Sequence, residues 1–304
     1  MSLNNSVAAE PFPALSDEFV QLPDGPRLAI RRAHGAGRPF LLVHGLASNA
    51  RLWDGVARRL AAAGHDVVAV DQRGHGQSEV TAAGYDTATA AADLNALCQE
   101  LGWTGDRAPI VAGQSWGGNV AVTFAAEYGG AAGLALVDGG WIYLADRFKD
   151  FDSCWAALAP PIFENVTEQD LMRRAASWNA DWPQEGREGA LGNFGVDDDG
   201  FVYLHLSRDH HRSIVYSLWA DDPRLLYPKI TVPTLLMPAV SAVPDSAPAI
   251  DAANAIANSR MRWYVGAHHD LHAQRPAECA NDLLELAAAA DGATFAEGGH
   301  TWAR

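Results

Sequence analysis

Short apolar runs alternate with longer stretches in which apolar residues recur every three or four positions. The runs Phe40–His44 (FLLVH), Val67–Val70 (VVAV), Ile110–Ala112 and Leu134–Val137 (LALV) are apolar almost without interruption. Such runs suit strands buried on both faces of a parallel sheet. Between them, Arg51–Ala63, Thr87–Leu101 and Gly118–Tyr128 carry helical periodicity. Ahead of them, Phe19–Leu22 and Leu28–Ala33 read as a hairpin around Pro23-Asp24-Gly25. Strand–helix alternation of this kind predicts a doubly wound α/β sheet.

The alternation stops at Trp141–Lys229. That stretch has no clean strand series, is broken by Pro and Gly, and holds Trp141, Trp155, Trp178, Trp182 and Trp219, five of the ten tryptophans. Alternation resumes with Thr231–Met237 (TVPTLLM), a helix over Ala247–Ala257, the run Met261–Val265 (MRWYV) and a helix over Pro276–Ala290. Because the sheet pattern returns, residues 141–229 are expected to be a helical cap inserted into one core made of residues 1–140 and 230–304.

Composition narrows the function. The 304 residues are 48% hydrophobic and 19% charged, which excludes disorder and coiled coil. Thirty-seven acidic against 22 basic residues give a net charge of −15, which argues against nucleic acid and anionic membranes as partners. Cys98, Cys154 and Cys279 fit neither a disulfide framework nor a metal-binding spacing. No signal peptide and no membrane-spanning run are apparent, so a cytoplasmic protein is expected.

The candidate chemistry begins at Gly113-Gln114-Ser115-Trp116-Gly117, a G-x-S-x-G string that follows an apolar strand and opens a helix. In that setting the turn forces the serine into a strained backbone conformation. The strand and helix then cross so closely that only glycine fits on either side. An ester-cleaving serine also needs an oxyanion hole. The N–H of Trp116 supplies one donor, and the N–H of Leu46 in His44-Gly45-Leu46, just past the FLLV strand, can supply the other. His44 itself reads as a structural histidine of that loop.

These pieces, with LLVHGLASNARLW, VVAVDQRGHGQS, GQSWGG, LALVDGG, VPTLLM and GAHHDLHAQRP, resemble the α/β-hydrolase superfamily over nearly the whole chain. The resemblance implies Ser115 as nucleophile and His269 as general base, with His268 and His272 as neighbours of other roles. It leaves the acid open. Most relatives carry it after the penultimate strand, where this chain has Asp245 about four residues late; a minority carry it one strand earlier, where LALVDGG places Asp138. Asp138 is the preferred acid and Asp245 the alternative.

Asp71 and Arg73 match a signature that ties a turn beside the site. Asp197-Asp198-Asp199-Gly200 lacks further spaced calcium ligands and reads as a solvated turn. Gly35-Ala36-Gly37 precedes a strand and is no dinucleotide loop. A metal shared by His269 and His272 lacks a carboxylate motif, so no metal and no cofactor are expected. Serine at the nucleophile position argues against epoxide hydrolases and dehalogenases, whose similar turns carry aspartate.

The expected activity is hydrolysis of a small-to-medium hydrophobic or aromatic carboxylic ester or lactone through an acyl-serine. Trp141, Trp155, Trp219 and His210 of the cap are the candidate substrate contacts. A C–C bond hydrolase or lyase on the same triad, and a small-molecule receptor with a slow triad, are the alternatives.

Overall fold

The computed structural model describes residues 12–175, 178–293 and 302–303. Its first strands are β1 (Ser16–Gln21), β2 (Arg27–Ala33), β3 (Gly37–Val43), β4 (His65–Val70), β5 (Ile110–Gln114) and β6 (Gly133–Val137). Helices α1 (Asp54–Ala62), α2 (Thr87–Glu100) and α3 (Trp116–Tyr128) connect β3 to β6. The segment between β6 and the next core strand holds α4 (Phe151–Leu158), α5 (Glu168–Ala175), α6 (Gln184–Leu191), the strands β7 (Phe194–Val196) and β8 (Val202–Leu204), and α7 (Arg208–Ala220). The chain closes with β9 (Thr234–Met237), β10 (Ala239–Val240), α8 (Ala247–Ala255), β11 (Ser259–Arg262), β12 (Tyr264–Val265), α9 (Leu271–Gln274), α10 (Pro276–Ala290) and β13 (Trp302–Ala303).

Nine strands form one sheet in the order β1-β2-β4-β3-β5-β6-β9-β11-β13. The six from β4 to β11 run parallel, whereas β1 and β2 at one edge and β13 at the other are antiparallel to their neighbours. The long segment from Asp138 to Pro233 therefore leaves and re-enters between two adjacent strands, with Val137 opposite Met237.

The uninterrupted apolar runs follow from burial on both faces. Leu41, Val43, Val68, Val70, Val111, Leu134, Leu136 and Leu236 pack on one face, where α2, α3 and part of the 141–229 segment lie. Their alternates Phe40, Leu42, Val67, Ala69, Ile110, Ala112, Ala135, Val137, Leu235 and Met237 pack on the other, against α1 and α10. Each neighbouring residue points to the opposite face of a strand, so a strand covered on both sides has no polar positions to spare.

Three details differ from the sequence pattern for physical reasons. The run 261–265 is two strands, because β11 pairs with β9 while β12 pairs with β10. Pro238 lies between β9 and β10, has no N–H to give, and accepts from Tyr264 N at 3.0 Å instead. The hairpin β7–β8 has three residues per strand, too short to show a period. It turns at Asp197–Gly200, where Asp197 Oδ1 accepts from Asp199 N and Phe201 N. Cys98, Cys154 and Cys279 are buried free thiols. Among the described residues, no helix is long and apolar enough to cross a membrane.

Candidate active site

Strand β5 delivers Ser115 at its carboxyl end, and α3 starts at the next residue. Ser115 has φ 53° and ψ −124°, outside the regions that L-residues favour. The steric reason for the flanking glycines is direct. A Cβ on Gly113 would stand 2.1 Å from the Gly117 carbonyl oxygen, and one on Gly117 would stand 2.4 Å from that of His44. From Ala108 to Val122, Ser115 is the only residue that is not buried. The turn thus lifts one hydroxyl out of a closed core, and among the described residues that hydroxyl makes no hydrogen bond.

His269 sits in the loop before α9. Its Nδ1 donates to Oδ2 of Asp138 at 2.6 Å. Asp138 follows β6 with φ 44°, and its other oxygen accepts the N–H of Ala239 at 3.0 Å. The backbone after β6 lies against the turn: a Cβ on Gly139 would fall 2.1 Å from the Ser115 carbonyl oxygen. Asn119 fixes this loop, accepting from Gly140 N and Ile142 N and donating to Ile142 O. Tyr227 adds a bond to Gly140 O at 3.0 Å. Gln114 bonds the His269 carbonyl at 3.3 Å, holding the histidine loop beside the serine turn.

Asp245 is elsewhere. It is exposed and accepts from the Ser241 hydroxyl at 2.7 Å, within its own loop. His268 is also turned away: its Nδ1 accepts from Asp270 N and its ring meets Trp182 edge-on. His272 is fully buried with its ring 4.2 Å from that of Trp53, and burial pushes its imidazole down to about 4. For His269 the largest influence is burial, which lowers it, but the hydrogen bond and charge of Asp138, with Asp270, outweigh it and leave the imidazole above its ordinary value.

Opposite the serine, Gly45 brings the loop after β3 close. A Cβ there would approach Gln114 Oε1 to 2.4 Å and Ser115 Cβ to 2.9 Å. Among the described residues the Leu46 N–H meets no backbone acceptor. Trp116 is the first residue of α3, where an N–H has no acceptor within the helix. His44 Nδ1 donates to Gly45 O and Nε2 accepts from Gln72 N, so both nitrogens are occupied within the loops. Asp71 accepts from Ala50 N and Gln77 N, and Arg73 grips Asp93 through two bonds of 2.6 Å.

Trp141, Trp155 and Trp219 are half-buried and pack against the core face that carries α3. Trp155 has Arg208 over its ring and His211 at its edge, and Trp219 neighbours Phe151 and Tyr216. His210 stacks on Tyr85 with ring centres 3.7 Å apart, beside a groove of about 790 Å³ between α7 and residues 82–88. None of the four makes a hydrogen bond or ring contact with Ser115 or His269 among the described residues. A further physical link from the 141–229 segment to the serine turn leaves no mark in the local sequence pattern. The Trp116 indole donates to Thr87 Oγ1, Thr87 Oγ1 meets Ser217 Oγ, and Ser217 donates to Asp221. Among the described residues, no group of three or more His, Cys, Asp or Glu is placed to hold a metal ion.

A family model described as "alpha/beta hydrolase fold" matches residues 38–187. The non-heme haloperoxidase of Rhodococcus erythropolis is 27% identical over 267 residues, covering 83% of this chain and 93% of its own length. Curated relatives with 40–42% identity match over shorter segments, which span only 24–29% of their own lengths. Among solved structures, E-2-(acetamidomethylene)succinate hydrolase superposes with a TM-score of 0.72 at 22% identity, covering 90% of this chain and 98% of that one. The esterase of Exiguobacterium antarcticum gives 0.66 at 23%, covering 89% and 98%. At such identities these likenesses speak to the fold.

Proposed function

Starting from the membership of this chain in the α/β-hydrolase fold superfamily, we propose that it is a serine hydrolase of carboxylic esters or lactones acting through an acyl-serine. The observation that carries the reading is the meeting of four chain segments at the carboxyl ends of the strands. Ser115 stands on a strained turn, His269 is oriented by Asp138, and two N–H groups without backbone acceptors flank the serine.

In this reading Ser115 Oγ attacks the substrate carbonyl while His269 Nε2 takes its proton. The negative charge moves to the carbonyl oxygen, which the N–H groups of Leu46 and Trp116 receive. The bond to the leaving alcohol breaks, and the alcohol departs with the proton from His269. Water then attacks the acyl-serine with His269 as base, releasing the acid and restoring the hydroxyl. Asp138 keeps the imidazole in the tautomer with Nδ1–H and stabilises the imidazolium. The bond from Ser115 Oγ to His269 Nε2 that the first step needs forms as substrate binds, since catalytic hydrogen bonds are often long in the resting enzyme and tighten in the complex.

Residues 141–229 act as a cap over the strand ends, where ligands of open α/β sheets bind. The aromatic side chains of that segment, Trp141, Trp155 and Trp219 among them, favour compact hydrophobic or aromatic substrates over charged ones and long lipids. The test is kcat/KM across p-nitrophenyl esters of increasing acyl length and one aromatic ester. A maximum at short-to-medium chains, with the aromatic ester within tenfold of it, is expected. Rates that climb steadily to long-chain lipids, with activation at an oil–water interface, would refute the enclosed site.

A further inference from the structure

The loop after β4 holds the loop after β3 through four hydrogen bonds. The backbone and side-chain amides of Gln72 reach His44 Nε2 and His44 O, and Asp71 accepts from Ala50 N. The fourth is different in position. Nε2 of His75 accepts from the N–H of Ala47 at 3.2 Å, at the residue directly after Leu46. Ala47 has φ 54°, a left-handed conformation that a residue with a Cβ adopts at a cost, so its geometry needs outside support.

The same imidazole reaches the other arm of the site. Its ring lies 5.8 Å from that of Trp116 at an interplanar angle of 29°, and 4.9 Å from His44 on another side. Nδ1 faces the Arg73 carbonyl at 3.0 Å, and a carbonyl only accepts, so Nδ1 carries the proton and Nε2 is free to accept. His75 is 1% exposed, and burial, with His44 and His211 nearby, holds it well below the ordinary imidazole value. The ring therefore stays neutral and the acceptor stays available.

We infer that His75 is a positioning residue of the oxyanion site: its Nε2 fixes the Ala47 amide, and so the aim of the Leu46 N–H, while its ring braces Trp116. The inference rests on the reading of Leu46 and Trp116 as oxyanion donors. A donor of this kind contributes only when it points at the developing charge, and small errors of aim are costly.

His75→Phe keeps a ring of similar size and removes the acceptor. His75→Gln retains an acceptor at the reach of Nε2, and His75→Asn retains only a group at the reach of Nδ1. The readouts are kcat and KM for p-nitrophenyl acetate, the rate of phosphonylation of Ser115 by a fluorophosphonate, and the melting temperature. Phe and Asn should each lower kcat by about 10-fold or more, slow phosphonylation to a similar extent, and leave KM within about threefold; Gln should recover most of the loss. If the Phe variant fails to fold, the comparison of Asn with Gln carries the test. Wild-type kcat and phosphonylation in Asn or Phe, or a loss confined to KM, would overturn the assignment while leaving the serine-hydrolase reading intact. A wild-type chain inert to both ester and fluorophosphonate would overturn that reading, and this assignment with it.

Discussion

Nδ1 of His269 donates to Oδ2 of Asp138 at 2.6 Å, across 131 residues of chain. The carboxylate is held from its other side by the amide of Ala239, so it cannot turn away without losing a second bond. Asp245, the other candidate, lies in an exposed loop bonded to Ser241. Asp138→Asn should therefore reduce kcat for a p-nitrophenyl ester by up to about 10⁴-fold, because the amide no longer selects the working tautomer. Asp245→Asn should stay within twofold of wild type. Steady-state kinetics of the two variants decide between them, and the reverse pattern would move the acid to the loop after β9.

The pH dependence follows from the same pair. His269 must be neutral to accept the serine proton, and Asp138 raises its affinity for a proton despite the opposing effect of burial. The acid limb of kcat/KM should thus lie above the ordinary imidazole value. Removing the charge with Asp138→Asn should shift that limb toward lower pH even as the rate falls. A limb that stays in place in the variant would mean that another group governs it.

Gly139 is outside the reacting atoms yet should be intolerant of change. A Cβ there meets the Ser115 carbonyl oxygen at 2.1 Å and its Cα at 2.5 Å, both backbone atoms that cannot swing aside. Gly139→Ala should displace the turn, costing about 100-fold in kcat and roughly 1–3 kcal/mol of stability. Kinetics and urea unfolding on the same preparation check both numbers.

Buried histidines set the response of stability to acid. Burial pushes His211 and His272 each down to about 4, and lowers His44 and His75 as well. Their folded values lie below the unfolded one, so the unfolded chain binds more protons. The stability they give is complete above the unfolded imidazole value and is lost as pH falls toward the folded one. Each of His211 and His272 should remove roughly 2 kcal/mol between neutral pH and pH 5. The melting temperature should drop over that range, and His272→Phe should shallow the decline. A flat profile down to pH 5 would contradict it.

How far the sequence could be read depended on the range of the interaction. Ser115, Gly113 and Gly117 were legible because the steric demand of a tight turn falls on residues two apart. The sheet was legible because burial on both faces leaves uninterrupted apolar runs. The acid stayed open between Asp138 and Asp245 because both loops follow neighbouring strands, β6 and β9, and either lies within reach of a histidine beyond β11. The left-handed backbone at Asp138 and the Ala239 amide distinguish them, and neither is written in a local pattern. Gln114, Asn119 and His75 went unnoticed because their partners lie tens of residues away. Only Asn119, a polar residue inside an apolar helix, left a hint. Residue type and segment point to His210 and to Trp141, Trp155 and Trp219, but they do not tell on what each ring rests.

Ser115 is the residue expected to form the covalent bond to the acyl group. The most direct measurement is the rate of p-nitrophenyl butyrate hydrolysis by Ser115→Ala beside the wild-type chain. The substitution removes one oxygen from a turn whose backbone is set by its neighbours, so the fold should be unchanged by circular dichroism. Steady turnover should be lost, with at most ~10³–10⁴-fold acceleration over water left from binding and the two N–H donors. A folded alanine variant that keeps more than a few per cent of wild-type activity would contradict it.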